Sequence, residues 1–189
     1  MSGRGLLKAG AILLGYPDPR QWAATAQEIR SWPATPGRDL LLAFLAGAES
    51  FEPLALEEEY VATFDFRREL SLYLTFHEAG ESGDRSLALL ALKGQLAACG
   101  YLCPDGELPD YIPLLLEFLA EREEEPGAGD LGGRLAWATG NIAAKMPQAS
   151  VYGPLLEAIR IALPPPQAPA PQLGRAAVDP AEPFPLSYS

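Results

Sequence analysis

The sequence predicts an all-α protein: a single helical-bundle-like domain of roughly seven to nine helices, residues 1–163, followed by a proline-rich tail, residues 164–189. Three observations support this prediction. Apolar residues recur three and four positions apart through most of the chain, which is the period of an amphipathic helix. No two β-rich runs are joined by hairpin turns. In the tail, eight of 26 residues are proline and the apolar period ends, so we expect it to be extended or disordered.

The first four helices are predicted from their apolar faces and from the residues that end them. A first helix ends at Gly-Tyr-Pro-Asp-Pro, residues 15–19, and a second carries Trp22 and Ile29 on one face. A third contains Leu41, and a fourth begins near Pro53, whose fixed φ suits the first turn of a helix. These segments account for roughly the first third of the chain.

Residues 70–76 alternate between apolar and polar side chains well enough to resemble a strand. We predict that they are helical, because a lone strand would have no partner in a chain without a second β-rich run. The next helix, residues 87–98, is expected to end at Gly100, a typical helix C-cap. Two further helices, residues 131–145 and 149–163, complete the predicted domain.

The stretch Glu-Leu-Pro-Asp-Tyr-Ile-Pro, residues 107–113, is predicted to open a central helix that runs to about Arg122. Asp110 is its candidate N-cap and would accept a hydrogen bond from the amide of Ile112. Prolines before and inside the first turn are tolerated there, since those amides have no partner within the helix. The sequence therefore predicts a rigid helix entrance at this point.

The central helix has an apolar side and an acidic side. Its apolar stripe consists of Ile112, Leu115, Phe118 and Leu119. Its acids within an arc of about 60° are Asp110, Glu117, Glu121 and Glu124. Carboxylates near a helix C-terminus oppose the macrodipole, so local stability does not explain them. Two interpretations stay open: a solvated, fraying helix end, or an acidic docking surface for a basic partner.

The overall charge limits the partners. The 189 residues carry a formal net charge of −11, and residues 104–130 hold nine acids against one base. Nucleic acid and anionic membrane are therefore unsuited as partners. The apolar run at the start of the chain is too short to span a membrane and lacks a small-residue cleavage site, so we expect a cytoplasmic protein.

No metal site or catalytic constellation is predicted. Cys99, Cys103 and His77 are the only soft ligands in the chain, and they do not complete a zinc site. Phosphate-cradling glycine loops and nucleophile elbows are absent from the sequence. We expect a protein that is not an enzyme and binds no cofactor permanently, with hydrolysis through His77 as an alternative that loss of turnover in His77→Ala would test.

Several motifs taken together in this order resemble the NarJ family, the assembly chaperones of respiratory nitrate reductase within the TorD/DmsD superfamily. The resemblance spans about residues 6–163. The motifs that carry it are residues 13–18 (LLGYPD) with Trp22, residues 60–65 (YVATFD), residues 71–74 (SLYL), His77 with residues 80–82 and 84–85, and residues 107–113 (ELPDYIP) with 116–118.

This resemblance implies a cytoplasmic chaperone that binds the N-terminal segment of the catalytic (alpha) subunit of nitrate reductase. It would assist molybdenum cofactor insertion and assembly before membrane attachment, handling the cofactor only indirectly, within the client. The client segment would be a twin-arginine signal or its remnant. No nucleic acid partner and no direct membrane insertion are implied, and the choice between monomer and homodimer stays open.

The resemblance places client binding on Pro109, Asp110 and Tyr111. Tyr111 stands where histidine is frequent in the superfamily, and Ser86 replaces a common glycine. To these we add the outward acids and nearby side chains as candidates for client binding: Glu117, Glu121, Tyr60, Phe64, Tyr73 and His77. The aromatic residues among them, together with Phe76, are assigned either to a binding groove or to the ordinary core.

Two further functional interpretations stay open. One is an acidic helical adaptor for another basic protein, and the other is a chaperone of a related molybdoenzyme of the selenate or chlorate reductase type. An adaptor would have no effect on molybdoenzyme activity.

Overall fold

A computed structural model describes residues 3–78, 85–104, 106–122, 124–125 and 127–168 of the chain. These ranges contain nine α-helices and a single-turn 3₁₀ helix, Arg68–Leu70, so the predicted all-α class is confirmed. The α-helices are α1 Gly3–Leu14, α2 Pro19–Ser31, α3 Pro36–Ala48, α4 Pro53–Phe64, α5 Leu74–Glu78, α6 Arg85–Ala98, α7 Ile112–Glu121, α8 Ala128–Lys145 and α9 Gly153–Ala162.

The centre of the domain is formed by α1 and α9. Helix α1 packs against α7 on one side and α9 on another, while α9 also contacts α3 and α8. The approach of α1 to α9 is close at Gly10, where an added Cβ would lie 2.6 Å from Cγ1 of Ile159. This crossing positions α1 so that its C-terminal end lies beside the start of α7.

Proline and capping side chains begin the early helices, and of these starts only the one at Pro53 was predicted. Helices α2, α3 and α4 each have proline in the first turn. The carboxylate of Asp18 accepts hydrogen bonds from the amides of Arg20 and Gln21 at 2.9 and 3.1 Å, and Thr35 caps α3. Gly100, with φ of 70°, follows the end of α6, which confirms its predicted role.

The prediction that residues 70–76 are continuously helical is wrong. The chain is extended between the 3₁₀ turn and α5, and it pairs antiparallel with the segment that leads into α7, through a bridge between Tyr73 and Tyr111. The amide of Leu74 donates to the carbonyl of Asp110, and the amide of Ile112 donates to the carbonyl of Leu72, both at 2.8 Å. The partner is a proline-containing loop segment that has no β-rich pattern in the sequence.

The late helices lie close to their predicted places. Helix α7 ends one residue before the predicted Arg122, α8 begins three residues before 131, and α9 begins four residues after 149. Beyond α9, Gln167 donates its amide to the carbonyl of Gly133 at 2.9 Å, so the chain lies along α8 as it leaves the domain. Residues 169–189 lie outside the described residues, as do motif residues 80–82 and 84, and the boundary at 163 stays a prediction.

Helix α6 is the least packed of the longer helices, and it offers a test of the packing. Gly94 in its interior is exposed, and a Cβ there would meet nothing within 4 Å. We expect Gly94→Ala to raise the free energy of unfolding by about 0.5–1 kcal/mol, because alanine restricts the unfolded chain and favours helix. Urea denaturation monitored by circular dichroism measures the change.

The matched control is Gly10→Ala in α1, which should lower the free energy of unfolding by about 1–3 kcal/mol, since its Cβ would overlap Ile159. Equal effects of the two substitutions would contradict this packing of α1 on α9.

Candidate functional site

A groove of about 620 Å³ lies between the C-terminal end of α1 and the segment that leads into α7. We call it the α1–α7 groove. Apolar side chains, two tyrosines and three carboxylates share its walls. Its lining residues are Ala11, Ile12, Gly15, Tyr16, Asp18, Gln21, Pro104, Gly106, Glu107, Tyr111, Pro113, Leu114 and Glu117. Two of the motif stretches found in the sequence, residues 13–18 and 107–113, thus face each other across it.

One wall of the groove is formed by the loop that ends α1. The hydroxyl of Tyr16 donates to a carboxylate oxygen of Glu57 at 2.9 Å, and its ring lies edge-on to Tyr60 with centroids 5.4 Å apart. The hydrogen bond to Glu57 raises the pKa of Tyr16. The amide hydrogen bonds that make Asp18 the N-cap of α2 lower the pKa of its carboxyl. This wall therefore presents a neutral phenol and an ionised carboxylate at neutral pH.

The opposite wall is centred on Tyr111. Its hydroxyl is hydrogen-bonded to that of Tyr60 at 3.0 Å, and its ring packs on Tyr73 with centroids 5.4 Å apart. Burial raises the pKa of Tyr111 to about 12, so the side chain is neutral at physiological pH. The hydrogen bond to Tyr60 and the ring contact with Tyr73 therefore fix the Tyr111 side chain without a ligand.

A buried ionic network lies behind this wall. Asp110 is fully buried, and its carboxylate accepts hydrogen bonds from the guanidinium of Arg85 at 3.0 Å and from the hydroxyl of Thr75. Nε of Arg85 donates to the Thr75 hydroxyl at 2.7 Å. The guanidinium carbon lies 4.0 Å from the ring centroid of Phe76, within cation–π range. The network fixes the segment leading into α7 against α5 and the start of α6.

The predicted capping role of Asp110 is wrong. Tyr111 occupies the N-cap position without a side-chain cap, and the Ile112 amide already has the Leu72 carbonyl as its acceptor. The carboxylate is therefore turned inward to Arg85 and does not line the groove. The signal available in the sequence was an acid between apolar neighbours, which calls for a buried cationic partner.

The acidic side of α7 is smaller than predicted. Of the four acids placed there, Asp110 is buried, whereas Glu117, Glu121 and Glu124 are exposed. Only Glu117 lines the α1–α7 groove, where it accepts a hydrogen bond from the hydroxyl of Tyr101 at 3.1 Å. Glu121 lies one turn further on, beside Arg4 and Arg122 in a separate depression.

The remaining candidates lie behind the groove surface. Tyr60 and Phe64 are core residues, packed on Tyr152 with centroids 6.2 and 4.8 Å away. Pro109 is buried, and Tyr73 is half-buried behind Tyr111. None of these four lines the groove, although Tyr60 and Tyr73 contact residues that do.

His77 lies away from the groove and is half-buried. Its Nε2–H donates to the carbonyl of Ser71 at 2.7 Å. Burial lowers the pKa of the imidazole, so the neutral form is favoured near pH 7. This arrangement is typical of a histidine that tethers backbone.

Sequence reasoning missed the α1 side of the groove. Residues 15–19 were interpreted as the end of a helix, and Ile12 and Gln21 were not considered as site residues. No local signal distinguishes these side chains from others on the same helices, because the groove exists only where α1 and α7 meet.

The described lining of the α1–α7 groove is acidic. Asp18, Glu107 and Glu117 contribute three carboxylates, and no lysine, arginine or histidine occurs among its described lining residues. Ile12, Pro113 and Leu114 supply apolar surface between them. A ligand that matches both features is an amphipathic, basic segment of protein.

The described part of the chain has no group of three or more His, Cys, Asp or Glu residues placed to hold a metal ion. Cys99 and Cys103 are free, half-buried thiols, and burial raises the pKa of Cys103. Across the same ranges, no helix is long and apolar enough to cross a membrane.

The fold is shared with a protein of known structure. A solved structure from Archaeoglobus fulgidus, described as a candidate redox enzyme maturation protein, superposes with a TM-score of 0.57 over 84% of this chain and 91% of that one, at 21% identity. Residues 33–136 match the family model described as nitrate reductase delta subunit. The chain belongs to the nitrate reductase delta subunit family, which confirms the resemblance drawn from its motifs.

Two relatives carry names that state a role. The protein named probable nitrate reductase molybdenum cofactor assembly chaperone NarJ in Bacillus subtilis (strain 168) is 40% identical over 121 residues, which cover 61% of this chain and 64% of that protein. The nitrate reductase molybdenum cofactor assembly chaperone NarJ of Escherichia coli (strain K12) is 36% identical over 114 residues, covering 58% of this chain and 48% of that protein. The chain thus spans less than two thirds of either relative.

Proposed function

We propose that this protein is a cytoplasmic chaperone of nitrate reductase, binding the N-terminal segment of its catalytic subunit in the α1–α7 groove. It assists molybdenum cofactor insertion and assembly before the enzyme attaches to the membrane, and it is not itself an enzyme. The observation that carries the proposal is the groove itself, in which two family motifs converge on apolar surface with three carboxylates. The names of the relatives support the assignment of the client.

Recognition rests on two kinds of contact. Apolar side chains of the client pack between Ile12 and Leu114, and basic side chains meet Glu107 and Glu117 at the edge of the groove. Charge complementarity raises the association rate and excludes acidic segments, while the apolar contacts supply most of the affinity.

The proposed site residues divide by position. Tyr111 and Glu117 contact the client directly, while Pro109, Asp110, Tyr60 and Tyr73 hold the wall that carries them. Phe64, Glu121 and His77 lie outside the groove, so we assign them no direct contact with a segment bound there.

The molybdenum cofactor is cargo that the client receives. This protein binds no cofactor permanently, and its thiols are not required. Holding the N-terminal segment away from its final position keeps the client open for insertion. A client of the selenate or chlorate reductase type would present the same kind of segment to the same groove.

The experiment is a calorimetric titration of the client's N-terminal peptide against the full chain, beside the same peptide with its basic residues replaced by glutamine. We expect the native peptide to bind, its affinity to fall with salt, and the neutralised peptide to bind at least about tenfold more weakly. Equal affinities would contradict recognition by the groove carboxylates.

A second measurement separates a chaperone from a simple acidic adaptor. In cells lacking this protein, nitrate reductase should accumulate without molybdenum cofactor, and the wild-type chain should restore it. If nitrate reductase has its normal cofactor content in cells that lack this protein, the protein has no role in maturation, although it can still bind the peptide.

A further inference from the structure

A second cavity lies on the other side of the loop that borders the α1–α7 groove. It has a volume of about 220 Å³ and is formed where α2, α3 and the start of α4 meet. We call it the α2–α4 pocket. Its walls are mainly apolar, with Trp22 and Ala26 from α2, Leu45 and Ala48 from α3, and Leu56 from α4. A pocket of this kind favours an apolar group.

Trp22 forms part of the wall of the pocket. Trp22, which lines it, exposes only 7% of its surface, and its indole N–H is buried with no hydrogen-bond acceptor among the described residues. The nitrogen is inaccessible to solvent, so the N–H does not face the open space of the pocket, and the ring contributes apolar surface to it.

The pocket and the groove share one loop. Asp18 lines the groove while its neighbours Pro17 and Pro19 line the pocket, and consecutive Cα atoms are only about 3.8 Å apart. Glu57 lines the pocket and accepts the hydrogen bond of Tyr16, which lines the groove. A few extended residues of one peptide are therefore enough to cross from the groove to the pocket.

We propose that the α2–α4 pocket receives an apolar side chain of the same client segment whose basic part lies in the α1–α7 groove. That side chain packs against the ring of Trp22. The inference rests on the proposed function and adds to it a second anchor point.

The size of the pocket decides the class of ligand. Drug-sized ligands and cofactors occupy cavities of roughly 300–1,000 Å³, whereas an apolar cavity near 150 Å³ holds a molecule the size of benzene. A volume of about 220 Å³ therefore suits one leucine, isoleucine or phenylalanine side chain. The client segment is expected to carry such a residue a few positions from its basic cluster.

Helix α2 offers a matched pair of substitutions. Ala23 lines the pocket and Ala24 does not, and both are exposed. We expect Ala23→Phe to cover the pocket and weaken binding of the client's N-terminal peptide by roughly tenfold, the scale of one lost apolar side-chain contact. Ala24→Phe should bind like the wild type. The measurement is calorimetry on the full chain.

A shortened peptide makes the failure of this inference distinguishable from failure of the proposed function. A peptide that keeps the basic cluster and lacks the neighbouring apolar residue should bind the wild type and Ala23→Phe equally. If the full peptide binds in a salt-dependent way and Ala23→Phe does not weaken this binding, the client does not occupy the α2–α4 pocket. Recognition by the α1–α7 groove would still hold. Absence of any peptide binding to the wild type overturns both.

Nuclear magnetic resonance tests the wild-type chain without relying on a pocket substitution. The chain contains three tryptophans, and the indole N–H resonance of Trp22 is identified by its absence in Trp22→Phe. Adding the full peptide should shift this resonance, because an apolar side chain packed on the Trp22 ring changes the surroundings of the indole, whereas the shortened peptide should not. An unchanged resonance overturns the inference. The inference is also overturned if the resonance shifts when residues 169–189 are deleted or when the protein is diluted. The occupant of the pocket would then be this chain's own tail or a second copy of the chain.

Discussion

Replacing Asp110 by alanine should lower the free energy of unfolding by about 3 kcal/mol or more. The carboxylate is fully buried, and its removal leaves the Thr75 hydroxyl without its acceptor and the largely buried Arg85 guanidinium without its counter-ion. Breaking a buried pair by removing one partner typically costs about 3–5 kcal/mol. Because the side chain of Arg85 keeps 27% of its surface exposed, we expect the lower part of that range. Urea denaturation at pH 7 measures it.

Asp110→Asn distinguishes a helix-capping role of Asp110 from a buried ion pair with Arg85. A capping aspartate can be replaced by asparagine at almost no cost, since both side chains accept the same amide hydrogen bond. A buried counter-ion cannot, so Asp110→Asn should lose most of the stability that Asp110→Ala loses. A silent Asp110→Asn variant would contradict the buried ion pair with Arg85.

The control for the ion pair is a double substitution. Asp110→Leu with Arg85→Met removes both charges and keeps comparable volume, so it should be more stable than Asp110→Leu alone. If the two variants are equally unstable, the cost comes from packing at Asp110 and not from the unpaired cation.

Reversing the charge of the groove should produce the largest effect on client binding. We expect Glu107→Lys with Glu117→Lys to weaken binding of the client's N-terminal peptide at least tenfold at about 0.15 M salt, and more at lower salt. Glu117 is exposed and Glu107 half-exposed, so the free energy of unfolding should change little. Fluorescence anisotropy of a labelled peptide at two salt concentrations measures the change.

A pair of acids elsewhere provides the matched control. Glu28→Lys with Glu58→Lys changes the net charge by the same amount at exposed positions that do not line the groove. This variant should bind the peptide nearly as well as the wild type. Equal losses in the two double variants would show that net charge, and not the α1–α7 groove, governs binding.

Most of the helices could be predicted from the sequence because their determinants are local. The period of apolar residues, the prolines at the starts of α2, α3 and α4, and the glycine after α6 act within a few residues of each other. The antiparallel pairing of Tyr73 was not predicted, since its partner Tyr111 lies far along the chain.

The family was also determined by the sequence alone, because its motifs are read in order along the chain. The site was determined only in part. Tyr111 and Glu117 were named as candidates and lie in the α1–α7 groove, whereas Glu121, one turn further on, does not. Helical spacing placed both acids on one side of α7 and could not show where the groove ends.

Only the tertiary structure decided the environment of Asp110 and the existence of the groove. The nearest charge to Asp110 belongs to Arg85, 25 residues earlier, and the wall opposite Tyr111 comes from the end of α1. Local rules fix backbone conformation over a turn or two, because hydrogen bonds within a helix reach only four residues. Burial, charge pairing and concave surface arise where distant segments pack, so they depend on the arrangement of the whole domain.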